Sequence, residues 1–563
     1  MFVVFEGIDG GGKTTLSNLV AQGLRERGLV VEHVREGGRF ASNVTQAMRE
    51  LGRDARNLAL APRAELMLYL TREVQLLEEA TRPALRRADV VIADRYVYTA
   101  QTLAVNGRGM AAVDVAPLIT AAMAGVVPEL VILVDVDPHV ARARRRVAKL
   151  ITPDDKAPSR KGLAGTDLQR RLREGYLALA SQDPARWHVV DNTEADLHAM
   201  ATSLIETVLL AHQTDVATAR ARTALPIAPP VLTAGDRDGV RAALLAWIDR
   251  RAVREPGLAA YFLAGLAGSE FDDRRRALAP RAPVVVASGL RWFDDEASWQ
   301  LRHELATIAP GPIARSLTGL LAEHPASAAL LRSLVEIAPR EVGSALWGRD
   351  DALAWEIRER LPADPLMHSL GAVAGPRAWA ARDRWLADRG GLGAIASVAT
   401  AEIACKSVEA IGDARAWELR KALREIAPVA ALEATFGLVD DRSWKWRERS
   451  LERAPKVVMR TISGLADPRA WALRDRVGHD CEEVLDTITG FDIAAAWQLR
   501  EDRVGMWPAS VLKSLGPLAA TERGQALIAS ALASAPLSIA VWRQAILVED
   551  RRRAAWRGAS WQW

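Results

Sequence analysis

Residues Gly7 to Thr14 read GIDGGGKT, set between the apolar run Phe2-Val3-Val4-Phe5 and the helix-like spacing of Leu16, Leu19, Val20 and Leu24. A short buried strand, a glycine-rich turn and an amphipathic helix are the context that a phosphate-binding loop requires. Gly7, Gly10, Gly11 and Gly12 let main-chain amides curl round an anion with no Cβ in the way, and the helix start adds the positive end of its dipole. Lys13 then reaches the β- and γ-phosphates, and the Thr14 hydroxyl, followed by Thr15, is placed to meet Mg²⁺. The motif therefore predicts binding of a nucleoside triphosphate together with Mg²⁺.

A chain of 563 residues is too long for one core, and its length suggests three or four domain-sized units. Net charge is only +4, so no overall field argues for nucleic acid or a membrane surface. Cys405 and Cys481 are far apart, which excludes a disulfide framework or a zinc cluster and suits a reducing compartment. The chain opens straight into its first strand without a basic-then-apolar leader, and it contains no run of 18 apolar residues. Cytoplasm and no membrane are the expectations.

Two regions differ in their patterning. Residues 1–213 alternate β-branched runs with helical stretches: Val30–Val34, Val90–Asp94, Leu130–Asp135 and Trp187–Asp191 have the look of parallel strands buried on both faces. The expected fold is α/β, a doubly wound parallel sheet with its ligand crevice at the strands' C-terminal ends. Residues 214–236 carry three prolines and no period, and read as a linker. From 237 to 563 an aromatic-x-x-Arg motif recurs: Trp247/Arg250, Phe271/Arg274, Trp299/Arg302, Trp355/Arg358, Trp379/Arg382 and four more pairs to Trp497/Arg500. Spacings from Trp417 are 27, 27 and 26 residues. A unit without its aromatic is expected around Ala329 and Arg332, and an insertion around Arg389-Gly390-Gly391. Such recurrence predicts an all-α solenoid of HEAT-like helical repeats. Trp and Arg three apart share a helix face, so they either form a ladder for anionic polymers or fill the inter-repeat core, with Arg stacked on Trp or paired to Asp413, Asp440 or Asp467. Regular recurrence favours the core.

Phe5 to Thr15 (FEGIDGGGKTT), Asp94-Arg95-Tyr96 at a strand end, Arg173-Glu174-Gly175-Tyr176-Leu177, and Ala64-Glu65-Leu66 with Arg82-Pro83-Ala84-Leu85 resemble the thymidylate kinase family of P-loop nucleoside monophosphate kinases over residues 1–210. The resemblance implies transfer of the γ-phosphoryl of Mg-ATP to a nucleoside monophosphate, dTMP being the family's acceptor. It implies that Lys13 and the loop amides hold the donor phosphates, and that Thr14 and Asp94 hold the metal. Arg95 would bridge donor and acceptor, Arg35 would grip the acceptor phosphate, and Asp9 would take the sugar hydroxyl. Tyr69, Arg72, Thr99 and Gln101 are the remaining candidates for the acceptor. Asp135, at a strand end, has no clear role in the chemistry.

From Arg142 to Arg173 there are 11 basic residues against three acidic ones, which suggests an arginine-rich lid over the transferring phosphates. Arg142, Arg146 and Arg160 are its catalytic candidates, since the loop itself offers Gly10 and Gly11 where an arginine might stand. Three departures touch the acceptor: Arg35-Glu36-Gly37-Gly38 lacks the family's proline, Glu73 stands where a thymine-reading arginine is usual, and Leu103 replaces a tyrosine. The leading expectation is thus an active kinase fused to repeats that bind a protein partner or mediate self-association. The alternatives are a nucleotide-gated scaffold without turnover and nucleic-acid binding by the repeats; the even charge balance speaks against the last.

Overall fold

Five short strands form one parallel sheet: β1 (Phe2–Glu6), β2 (Val31–Val34), β3 (Val90–Asp94), β4 (Leu130–Asp135) and β5 (Trp187–Asp191); β1, β3 and β4 are buried, whereas the edge strands β2 and β5 are only partly so, against the expectation of burial on both faces. Their order is β2-β3-β1-β4-β5, with Phe5 opposite Asp94 and Glu6 opposite Leu133. β1 lies between β3 and β4 although the chain runs next to β2. This reversal of direction opens a crevice at the C-terminal end of β1. Helix α1 (Lys13–Arg25) leaves that end and buries Leu16, Val20 and Leu24 in a core shared with Leu204 and Val208. Further helices flank the sheet: α2 (Asn43–Arg53), α3 (Pro62–Leu76), α4 (Val97–Thr102), α5 (Pro138–Ile151), α6 (Asp167–Gln182) and α7 (Leu197–Gln213).

This computed structural model describes residues 1–34, 42–54, 57, 60–152, 167–193, 196–213, 237–320, 325–477 and 481–549. Arg35, Arg160, the segment 214–236 read as a linker and the basic run 551–557 lie outside the described residues. The contacts of the chain divide into two units, 1–145 with 157–230 and 146–156 with 231–563. Among the described residues no helix is long and apolar enough to cross a membrane.

The second unit is built from paired helices. Glu296–Leu305 is followed by Pro310–Ser316, and Asp441–Ser450 by Pro455–Thr461, the second helix of each pair opening on proline at a position that needs no N–H donor. Second helices of successive pairs pack side by side from Pro283–Gly289 onward to Pro508–Leu515. The final helix, Ile539–Glu549, then packs against both Pro508–Leu515 and the first, Arg237–Arg254. Arg543 donates to the carbonyls of Phe262 (3.0 Å) and Ala264. The solenoid thus closes on its own beginning.

The Trp-x-x-Arg pairs fill the core. Arg302, Arg358, Arg382, Arg420, Arg447, Arg474 and Arg500 are fully buried, each 4.5–5.1 Å over the ring of its tryptophan. Their donors go to carbonyls at the ends of two neighbouring second helices. Arg447, for example, reaches Thr435 O and Leu438 O (both 2.7 Å) and Thr461 Oγ1 (3.0 Å). Helix C-termini leave carbonyls without partners and carry partial negative charge, so a buried cation finds acceptors there, although Nη1 of Arg358, Arg382, Arg420 and Arg474 is left without one. Burial pushes these guanidinium groups down to about 10, which leaves them charged at neutral pH. The turn acids do other work than pairing with these arginines: Asp413, Asp440 and Asp467 cap helix N-termini. The first units also differ from the expected motif. Arg250 is exposed and Arg274 pairs outward with Asp249, while Arg275 is the buried arginine that reaches Leu266 O. In the unit without its aromatic, Arg332 has no ring to lie on and pairs with Glu356 instead.

Candidate active site

The loop after β1 folds as its glycines demand. Gly10 and Gly12 hold φ of 90° and 87°, and a Cβ on either would meet Ala141 O at 2.3 Å or Asn192 Nδ2 at 2.5 Å. Asn192, just past β5, donates from Nδ2 to Gly11 O (2.7 Å) and so props the loop from beneath. Gly7, with φ of 134°, starts the turn, and Thr15 lies exposed on the first turn of α1. The Lys13 ammonium is buried and donates to Ile8 O (2.7 Å). Burial and the neighbouring Arg95 lower it to about 8, against the opposing pull of Asp9, Asp94 and Glu6.

β3 delivers Asp94 and Arg95 to the same mouth. Thr14 Oγ1 donates to Asp94 Oδ2 at 2.5 Å, while the other carboxylate oxygen, Oδ1, is buried with no partner. A hydroxyl and a half-satisfied carboxylate side by side are a donor set that suits a hard divalent cation. Arg95 sits at φ 79°, a strained setting for a residue with a Cβ. It is held there by Asp9, by Gly7 O (3.1 Å) and by Thr99 Oγ1 (3.2 Å). Burial acts to lower its pKa, but Asp9, Tyr176, Glu6 and Asp94 outweigh it and raise the group above its ordinary value.

Beneath Arg95 lies a carboxylate that the motifs did not single out. Glu6, fully buried at the end of β1, accepts from Tyr96 N (2.9 Å) and Thr99 Oγ1 (2.8 Å), and Thr99 in turn meets Tyr176 OH at 3.0 Å. Burial raises the Glu6 carboxyl despite Arg95. Thr99 is therefore engaged below the crevice, whereas Gln101 stands half-buried on the same helix. Gln169 on α6 accepts from Asp9 N (3.2 Å), and Asp135 is taken by a two-pronged pair with Arg173 (2.7 Å each). On α3, Arg72 lies 4.5 Å over the Tyr69 ring and pairs with Glu73 at 2.6 Å, both charges being buried. Tyr69 and Arg72 also line a small cavity with Met48, Arg49, Gly52 and Leu68. Arg142 and Arg146 are half-buried on α5.

The sequence profile of the thymidylate kinase family matches residues 5–201. The thymidylate kinase of Trichlorobacter lovleyi is 36% identical over 195 residues, 34% of this chain and 90% of that protein. This chain belongs to the thymidylate kinase family. Another family member, from Solidesulfovibrio magneticus, is 35% identical over 34% of this chain and 90% of its own length, and that of Bifidobacterium longum subsp. infantis is 33% identical over 40% and 93%. This thymidylate kinase relative is accordingly a kinase that acts by phosphoryl transfer involving a nucleoside monophosphate. The crevice described above lies wholly within the matched residues, and the paired helices from 237 onward lie beyond them.

Proposed function

We propose that this enzyme moves the γ-phosphoryl group of Mg-ATP to a nucleoside monophosphate, with dTMP as acceptor. The observation that carries this reading is the meeting of Thr14, Asp94 and Arg95 at the mouth of the glycine loop. Lys13 and the amides from Gly10 to Thr14 hold the donor phosphates. Thr14 and Asp94 hold Mg²⁺, which when bound draws charge off the β- and γ-phosphates. An acceptor phosphate is already an anionic nucleophile, so positioning and charge neutralisation suffice and no strong base is needed. Arg95, fixed from below by Thr99 and at its side by Asp9, is placed to lie between the two phosphates. Asp9 is also the candidate for the sugar hydroxyl, and Tyr69, Arg72 and Gln101 are the groups on hand for the base. Arg35 keeps the role that the family resemblance gives it, in acceptor phosphate binding, and Arg142, Arg146 and Arg160 remain the candidates from the basic run for phosphoryl transfer.

We further propose that residues 1–213 form the catalytic domain, 214–236 a linker and 237–563 a HEAT-like domain for a protein partner or self-association. The buried state of the Trp-x-x-Arg pairs speaks against a nucleic-acid ladder, because both groups are spent on the core. The free, buried Cys405 and Cys481 suit a reducing compartment such as the cytoplasm. An ADP-release assay across the nucleoside monophosphates tests the main reading. We expect turnover with dTMP that Lys13→Ala lowers by about 10²-fold or more; a wild-type rate no higher than that of Lys13→Ala for every acceptor would refute it.

A further inference from the structure

Gly11 and Gly12 share a peptide whose orientation decides what the glycine loop offers an anion. A trans peptide points its C=O and its N–H in opposite directions, so whatever holds Gly11 O also aims Gly12 N–H. Asn192, just beyond β5, is what holds it: Nδ2 donates to Gly11 O at 2.7 Å in a buried contact. A carbonyl oxygen only accepts, so the side-chain amide must turn its NH₂ and not its oxygen to Gly11. Asn192 is itself pinned. It is 2% exposed, its N–H donates to Asp135 O (2.7 Å) at the end of β4, and Arg144 on α5 donates to its carbonyl (3.1 Å). Gly12 holds φ of 87° as the N-cap of α1, with no room for a Cβ beside Asn192 Nδ2. With Gly11 O turned to Asn192, Gly12 N–H points the other way, at the positive end of α1 and next to Lys13.

We propose that Asn192 is a positioning residue for the donor nucleotide: by holding Gly11 O it keeps Gly12 N–H aimed at the donor phosphates before they arrive. The assignment rests on the phosphoryl-transfer reading above and deepens its donor side. A Gly-Gly peptide can flip at little steric cost, because neither residue carries a Cβ. Flipped, it would turn the partial negative charge of Gly11 O towards the phosphates in place of a donor. Asn192 removes that alternative, since a flip would leave its buried NH₂ and the Gly11 carbonyl without each other. An orientation fixed in advance also spares the binding step the cost of ordering the loop. Asn192 therefore acts through the loop and not on substrate. Thr193, next in the chain, shares the same turn but accepts from Asp137 N (2.9 Å) instead.

The test is calorimetry of Mg-ATP binding and steady-state kinetics on full-length Asn192→Ala, Asn192→Asp and Thr193→Ala beside wild type, with thermal unfolding followed by circular dichroism. Asn192→Asp keeps the size of the side chain but sets an acceptor against Gly11 O. We expect the Kd for Mg-ATP to rise about 10- to 100-fold in both Asn192 variants, the worth of one hydrogen bond to a charged group. The KM for the donor should rise by the same factor, while kcat and the acceptor KM stay within about threefold, as for an interaction made equally in the ground and transition states. Thr193→Ala should stay within about threefold in every measure. Folded Asn192 variants that bind Mg-ATP within threefold of wild type overturn the assignment. So does a joint loss of donor affinity, acceptor affinity and thermal stability, or an equal loss in Thr193→Ala, either of which would mark a merely structural contact. A wild type that binds Mg-ATP but phosphorylates no acceptor would sink the transfer reading alone, with calorimetry still deciding the role of Asn192. A wild type that binds no Mg-ATP would bring both down.

Discussion

Lys13 carries the donor-binding argument at the scale of single residues, and its buried setting makes that argument pH-dependent. The charged ammonium is what a polyphosphate needs, and burial is what disfavours it. With its pKa lowered to about 8, Lys13 loses its proton as pH rises through that value, so affinity must fall on the alkaline side. ATP itself is fully ionised before that range, since a terminal phosphate gives up its last proton near pH 6. We expect the Kd for Mg-ATP to be flat from pH 7 to 8 and to rise about tenfold for each unit above, measured by calorimetry to pH 9.5. A flat profile throughout would contradict the assignment. The sequence made Lys13, Thr14 and Asp94 legible because each stands at a fixed offset from a strand end. Glu6, Gln169 and Asn192 were not legible in that way. Their roles come from neighbours up to 181 residues distant, and a lone polar residue carries no signal of what will fold against it.

At the scale of elements, one helix pair explains why tryptophan and arginine recur together. The tryptophan supplies the apolar area that holds one pair to the next, and the arginine closes the carbonyls that two short helices leave open. Arg447→Ala would strip Thr435 O and Leu438 O of a donor and leave a cavity beside Trp444. We expect a loss of about 3–5 kcal/mol from the helical unfolding transition in urea. Arg332→Ala, which breaks the exposed pair with Glu356, should leave that transition almost unmoved, because water screens the pair. Equal costs for the two would show that the buried guanidinium is not what holds successive pairs together. The period of the motif was readable, as was the shared face of Trp and Arg. The partner of the arginine was not, because main-chain carbonyls leave no trace in composition, and the acids nearby drew the eye towards ion pairs.

At the scale of the whole helical unit, closure changes how stability is distributed. An open array of repeats frays from its ends, since terminal pairs lack a neighbour on one side. Here Ile539–Glu549 provides that neighbour for Arg237–Arg254, and Arg543 ties it to the carbonyls that end the helix Pro256–Leu263. No repeat motif announces this, because the final helix carries no Trp-x-x-Arg and the small rotation from each pair to the next is a property of packing. Arg543→Ala removes two donors from buried carbonyls while leaving every Trp-x-x-Arg pair intact. The expected result is selective loosening: amide hydrogen exchange in Pro256–Leu263 and Ile539–Glu549 should speed up about 5- to 100-fold, matching roughly 1–3 kcal/mol, with Asp441–Ser450 unchanged. Uniform acceleration across all pairs would mean that the contact stabilises the fold as one cooperative block. No change at either end would mean that the two terminal helices hold together without Arg543, through apolar packing alone.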